Sequence, residues 1–145
     1  MEIAVDGWRA SVEDWDAVRS MPVDQLPPLT EQQKQVAKKL GVPEPDYARS
    51  ALAGERSQAA LLQRTQRLGR VLWERMQAAG LPGEIVRVVL RTFEGRFDVE
   101  LRVNGGKLPL RIDEDIVDDY FDRGSIDSEE RLGRILERAL AGSKQ

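Results

Sequence analysis

The sequence predicts an α+β fold: N-terminal helices including one long amphipathic helix, then a three-stranded antiparallel β-meander, then a C-terminal pair of helices. Two observations carry this prediction. Residues 96–103 alternate strictly between polar and apolar, which is the period of a half-buried strand. Between residues 61 and 79 the apolar side chains fall within an arc of roughly 140° on a helix. We expect a single domain spanning 1–145, because 145 residues is an ordinary domain size.

Turn and capping signals divide the first 41 residues. Ser11 is the expected N-cap of a short helix whose apolar residues lie three apart. Residues 21–29 contain three prolines and predict an extended linker at the end of an acidic N-terminal segment, 1–29. Thr30 and Gln33 form a capping box for a second helix that stops at Gly41.

A third helix is expected from about residue 46 to residue 79, within a basic helical part that spans 30–80. Gly54 is a candidate break in this helix. Gly69 lies on its apolar side, where a missing side chain allows close approach of another element. Residues 80–82 end the helix with a left-handed glycine cap, an apolar residue and a proline. A second arc of the helix is basic and contains Arg56, Arg64, Arg67, Arg70 and Arg75.

Residues 84–112 predict the β-meander. If Glu94 and Gly95 form a two-residue turn, Val88 lies opposite Leu101. The second turn, around residues 104–106, keeps the same parity. Both turns therefore place one apolar set on a single face, which the long helix is expected to cover. That set is Val88, Leu90, Phe97, Val99, Leu101, Val103, Leu108, Leu110 and Ile112.

The acidic tail, residues 113–145, predicts two helices at 114–121 and 128–141, with Asp127 and Glu130 as a capping box for the second. Residues 119–130 also partly match the spacing of a calcium-binding loop between two helices. Two of its ligand positions hold Phe121 and Arg123, which supply no oxygen. We therefore expect no metal site here.

The charge is segregated along the chain. The net charge is −3, but residues 1–29 sum to −4, 30–80 to +4, 81–112 to +2 and 113–145 to −5. Two interpretations stand open. Either the basic middle binds an acidic partner, or the acidic ends fold back over it.

The outer face of the predicted meander carries six cations against two acids, Asp98 and Glu100. Guanidinium groups bind carboxylates in a bidentate manner, so this face, together with the basic helix, is our candidate site for an acidic protein partner. The alternative is a solvated face with cross-strand ion pairs, since Arg91 is expected opposite Asp98. The candidate partner-binding residues are Arg87, Arg91, Arg102, Arg111, Arg64 and Arg67.

Catalysis and cofactor binding are not expected. The chain has no Cys and no His, so thiolate and imidazole chemistry are excluded. It also contains no phosphate-binding glycine motif and no nucleophile elbow. We therefore expect a non-catalytic adaptor, chaperone or regulatory subunit without cofactors.

DNA binding is the alternative function. Residues 34–52 partly match a helix-turn-helix, in which a small residue and a glycine let two helices cross closely. Two prolines in the turn weaken the match. The residues expected to contact phosphates are Lys34, Lys38, Lys39 and Arg49.

A cytoplasmic location is expected, because the chain has no apolar run long enough for a membrane span or a signal peptide. The excess of 17 Arg over 5 Lys indicates a GC-rich bacterial genome. Self-association is a further hypothesis, since Trp8, Trp15 and Trp73 suit an interface as well as a core.

Overall fold

A computed structural model describes residues 1–7 and 9–142; Trp8, one of the tryptophans considered for self-association, lies outside the described residues. The contacts divide the chain into two compact units. We call residues 1–7 with 61–142 the sheet unit and residues 9–60 the helical unit. Within the described part of the chain, no helix is long and apolar enough to cross a membrane.

The helical unit begins with α1, Val12–Arg19, and continues through a 3₁₀ turn at Val23–Gln25 to α2, Glu31–Leu40. The hydroxyl of Ser11 accepts the amide of Asp14, so Ser11 is the N-cap of α1 as predicted. Thr30 and Gln33 form the predicted capping box. The caps signalled by the sequence therefore set the helix boundaries of this unit.

Helix α3, Glu44–Ala78, supplies its first part to the helical unit and its second part to the sheet unit. It runs through Gly54 without interruption, so the candidate break is wrong. A glycine inside a helix costs about 1 kcal/mol, and tertiary packing of an amphipathic helix outweighs that cost. At the other end the amide of Leu81 donates to the carbonyl of Met76 over 2.9 Å, which is the predicted glycine cap around Gly80.

The sheet unit contains β1, Glu2–Asp6, β2, Glu84–Arg91, β3, Arg96–Val103, and β4, Gly106–Asp113, in the spatial order β1-β2-β3-β4. The α+β class is confirmed, but the three-stranded antiparallel meander is wrong: the described sheet has four strands and is mixed, because β1 pairs in parallel with β2. Parallel partners are joined by long connections and leave no local turn signal, so the pairing of β1 was not visible in the sequence.

The register of the first hairpin also differs from the prediction by two residues. Val88 lies opposite Val99, not Leu101, and the connecting loop is four residues, 92–95. Thr92 donates both its amide and its hydroxyl to the carbonyl of Asp6 on β1, and the amides of Glu94 and Gly95 close the loop on the carbonyl of Arg91. A two-residue slip preserves the side-chain faces, so the predicted apolar face is the buried one.

Helices α4, Glu114–Arg123, and α5, Ile126–Gly142, complete the sheet unit. The inner face of the sheet packs in one core with apolar residues of α3, α4 and α5, among them Leu68, Leu72, Val117, Leu132 and Leu136. Gly69 of α3 approaches closely, as predicted: a Cβ there would lie 3.4 Å from Val88.

The start of α5 was predicted two residues too late. The hydroxyl of Ser125 accepts the amide of Ser128 over 3.4 Å, so the cap precedes Ile126. The capping box expected at Asp127 and Glu130 is wrong because both residues already lie inside the helix.

Candidate protein-binding surface

The outer face of the sheet is defined by the strand register. Residues 87, 89 and 91 of β2 lie beside residues 2, 4 and 6 of β1 and residues 100, 98 and 96 of β3. Residues 107, 109 and 111 of β4 complete the face beside 102, 100 and 98. Four predicted partner-binding residues share it: Arg87, Arg91, Arg102 and Arg111.

Most of these arginines are engaged by acids within the sheet unit. Arg87 pairs with Glu2 at 3.0 Å and Arg91 with Asp6 at 2.6 Å, both across β1 and β2. Arg102 pairs with Glu84 at 3.2 Å. The sequence left open that the acidic N-terminal segment folds back over the basic middle, but it did not identify Glu2, Asp6 or Glu84 as the partners.

Asp98 holds two arginines at once. Its Oδ2 accepts from Arg91 at 3.1 Å and its Oδ1 from Arg96 at 3.1 Å. The hydrogen bonds of Arg91 with Asp6 and Asp98 raise the pKa of its guanidinium further. The expected Arg91–Asp98 pair is therefore present, as a diagonal contact, because the strands pair two residues away from the predicted register.

Arg111 lies directly opposite Asp98 on β4, but Asp98 pairs with Arg91 and Arg96 instead, one through each carboxylate oxygen. Arg111 is exposed and forms no ion pair with any described residue. Lys107, also on β4, is 77% exposed. Its ammonium group lies 3.7 Å from a carboxylate oxygen of Glu100, which is a long distance for an ion pair. The β4 side of the outer face therefore carries the cations with the least local compensation.

A shallow depression of about 370 Å³ lies on this face. Val89 and Pro109 line it together with charged side chains of β2, β3 and β4, including those of Arg91, Lys107 and Arg111. Val89 is 7% exposed. The site thus combines a small apolar surface with cations around it.

Arg64 and Arg67 do not join this surface. They belong to α3, which packs on the inner face, and both guanidinium groups lie over the ring of Phe121 in α4. Arg64 also pairs with Asp118 at 2.5 Å and Asp122 at 2.9 Å. Burial raises the pKa of Asp118, an effect that the nearby guanidinium partly offsets. These arginines therefore hold α3 against α4, and the helix and sheet arginines lie on opposite sides of the sheet.

The acidic ends of the chain do fold back on part of the basic middle. Glu2 and Asp6 neutralise arginines of β2, and the acidic tail neutralises Arg64 and also Arg75, which pairs with Glu129 at 3.1 Å. Four cations of the basic middle, Arg64, Arg75, Arg87 and Arg91, thus pair with the acidic ends of the chain, whereas, among the described residues, Lys107 and Arg111 on β4 do not.

The residues of the DNA-binding alternative lie in the helical unit. Lys38 and Lys39 are exposed in the last turn of α2. Lys34 pairs with Glu31 at 3.6 Å, while Arg49 donates to the carbonyl of Met21 and pairs with Asp46 at 3.7 Å. Two of the four cations are therefore already partnered.

Residues 119–130 form the end of α4, a short connection and the start of α5. The hydroxyl of Ser128 donates to Asp119 and holds the pKa of that carboxyl below its usual value. No cluster of metal-ligating side chains is found within residues 1–7 and 9–142.

Comparison with protein-family models, with curated proteins and with solved structures found no match to this chain.

Proposed function

We propose that this protein is a non-catalytic protein-binding module that recognises an acidic protein partner through the β4 side of its outer sheet face. Arg111 carries the proposal. It is exposed and faces a carboxylate that two other arginines occupy. Lys107 lies on the same strand, and both side chains line a depression large enough for one or two partner side chains.

Electrostatic complementarity supports this choice of partner. Charges that are not compensated within a protein steer association with surfaces of opposite sign and fix the register of the complex. A guanidinium group also binds a carboxylate through two parallel hydrogen bonds, which adds geometric specificity. The partner surface is therefore expected to carry carboxylates at the spacing of Lys107 and Arg111.

A non-catalytic role is part of the proposal. The depression is lined by arginine, lysine, aspartate and glutamate side chains and by apolar residues. Asp98 is ion-paired with Arg91 and Arg96, one through each oxygen. Binding of a partner, in contrast to catalysis, uses the charged and apolar side chains of the depression without chemical change.

DNA binding through the helical unit is less well supported. In a helix-turn-helix the N-terminal residues of the second helix contact the base edges. Here α3 begins with Glu44, Pro45 and Asp46, and the carboxylates of Glu44 and Asp46 repel phosphates. Lys38 and Lys39 alone would give a weak contact that does not depend on base sequence.

The proposal is tested by affinity capture from an extract of the source cells, using the wild-type chain and two variants. K107E/R111E reverses the proposed site, and R70E reverses one exposed arginine of α3 as a control for location. Wild type and R70E should capture the same acidic protein, and K107E/R111E should lose it. Equal capture by all three proteins would contradict the proposal.

A further inference from the structure

The backbone of β4 has one row of hydrogen-bonding groups directed away from the sheet. The amide of Glu114 donates to the carbonyl of Gly95 over 2.9 Å, in line with the β3–β4 pairing. Because amide directions alternate along a strand, the even-numbered residues of β4 bond to β3. The amides of Lys107, Arg111 and Asp113 then point to the outer edge of β4, which is an edge of the described sheet. Pro109, which lacks an amide hydrogen, also falls in this row, as expected on an edge strand.

The side chains of the same row lie on the outer face, so the edge presents a cation, a proline and a second cation at alternate residues. On β2 the side chains of Arg87, Val89 and Arg91 follow the same spacing on the outer face, although the backbone groups of these residues face β3. The side chains of Glu2, Ala4 and Asp6 on β1 lie beside them, while the amides that face β1 are those of Val88 and Leu90. Two carboxylates four residues apart match two guanidinium groups four residues apart.

We infer that the outer edge of β4 accepts an extended acidic segment of the partner protein as a fifth strand, with carboxylates four residues apart against Lys107 and Arg111. This inference rests on the proposed function and names its mode of binding. Backbone hydrogen bonds along the edge supply affinity that is independent of side chains, and the two cations select the acidic sequence. The pairing of β1 with β2 is the precedent within the same sheet.

The occupant is a segment of another protein. A second copy that offers its own β4 brings the same Lys107 and Arg111 to the contact, with Asp113 as the single acid in that row. It also brings a second proline without an amide hydrogen. An acidic strand compensates both cations, and every one of its backbone amides that faces β4 can donate to a β4 carbonyl.

The probe is a capped peptide in which the β1 sequence, Glu-Ile-Ala-Val-Asp, is flanked by two threonines at each end. It is titrated into the ¹⁵N-labelled full chain, and the control peptide carries Gln and Asn in place of the acids. We expect saturable binding with the largest amide shifts at Lys107, Arg111 and Asp113. Binding should weaken at least about tenfold for the control peptide and for K107E/R111E.

Strand addition is separated from simple charge attraction by N-methylating the peptide at alternate amides. One alternating set faces β4 and should abolish binding, while the other faces solvent and should leave it unchanged. Binding that depends on Lys107 and Arg111 but tolerates both methylated sets would overturn strand addition and leave the proposed function standing.

Three other outcomes would also overturn the inference. One is no saturable binding of the acidic peptide. Another is a shift pattern centred on Val88 and Leu90, whose amides face β1, because the peptide would then have replaced β1. The third is a concentration-dependent dimer that shifts the β4 amides without peptide, because the edge would then belong to a second copy.

Discussion

Arg111 lies directly opposite Asp98 across β4 and β3, yet it forms no ion pair with it or with any other residue in the described part of the chain. Asp98 is occupied by Arg91 and Arg96, which reach it from β2 and from its own strand. The described ion pairs therefore leave Arg111 without a carboxylate partner, although Asp113 lies two residues further along the same strand. This unpaired, exposed guanidinium group is the basis of the proposed partner recognition.

Neutralising the acids of β1 should strengthen binding of the acidic peptide. In E2Q/D6N, Arg87 loses its pair with Glu2 and Arg91 one of its two carboxylate partners, which raises the positive potential of the outer face. We expect binding to become several-fold tighter, on the order of 1 kcal/mol, by fluorescence anisotropy at low salt. Thermal unfolding controls for loss of β1. Unchanged affinity with an intact fold would show that β1 does not mask the face.

Removing the hydroxyl of Ser128 should make the stability of the sheet unit less dependent on pH in the acidic range. That hydroxyl, the largest cause, and the hydroxyl of Ser125 lower the pKa of Asp119 from its ordinary 3.8, with burial opposing them. A lowered carboxyl pKa contributes stability above the ordinary value, and that stability is lost as the pH falls through the lowered value. S128A should therefore lower the unfolding midpoint at neutral pH and have a smaller effect in acid.

The control for this effect is the same substitution in a D119N background, where no carboxylate titrates. S128A should then cost the same at every pH. A pH-dependent difference that persists without Asp119 would assign the effect to another group.

Two glycines with left-handed backbone should respond differently to alanine. A Cβ on Gly83, with φ +111°, would lie 2.8 Å from the carbonyl oxygen of Arg102, whereas a Cβ on Gly80, with φ +64°, meets nothing within 4 Å. We expect G80A to cost about 1 kcal/mol from backbone strain alone and G83A about 3 kcal/mol, because β2 and β3 must also separate. Equal losses in urea unfolding would mean that the strands meet differently here.

Local signals in the sequence predicted much of the fold. The capping box at Thr30 and the glycine cap at Gly80 have the geometry that their residues indicate. The alternation of β3 identified the buried face correctly even though the hairpin register was two residues off, because side-chain direction has a period of two.

The errors in the sheet came from contacts distant in sequence. The hydrogen bonds from Thr92 to Asp6 link residues 86 positions apart and continue the contact between β1 and β2. The same distance hid the acids that neutralise Arg87 and Arg91. Arg111 was a predicted partner-binding residue because of its position on the strand. Only the structure shows that the carboxylate opposite it, Asp98, pairs with Arg91 and Arg96 instead.

The most direct test of the central claim is the affinity of the labelled acidic peptide for wild type, K107E/R111E and R70E, measured by fluorescence anisotropy at low salt. We expect K107E/R111E to raise the Kd at least about tenfold. R70E lies on α3 and has half the charge change, and its Kd should stay near the wild-type value. An additional R70E/R138E variant on the helices matches the total charge change. If it weakens binding as much as K107E/R111E does, net charge governs the interaction, and recognition by the β4 side of the outer face is contradicted.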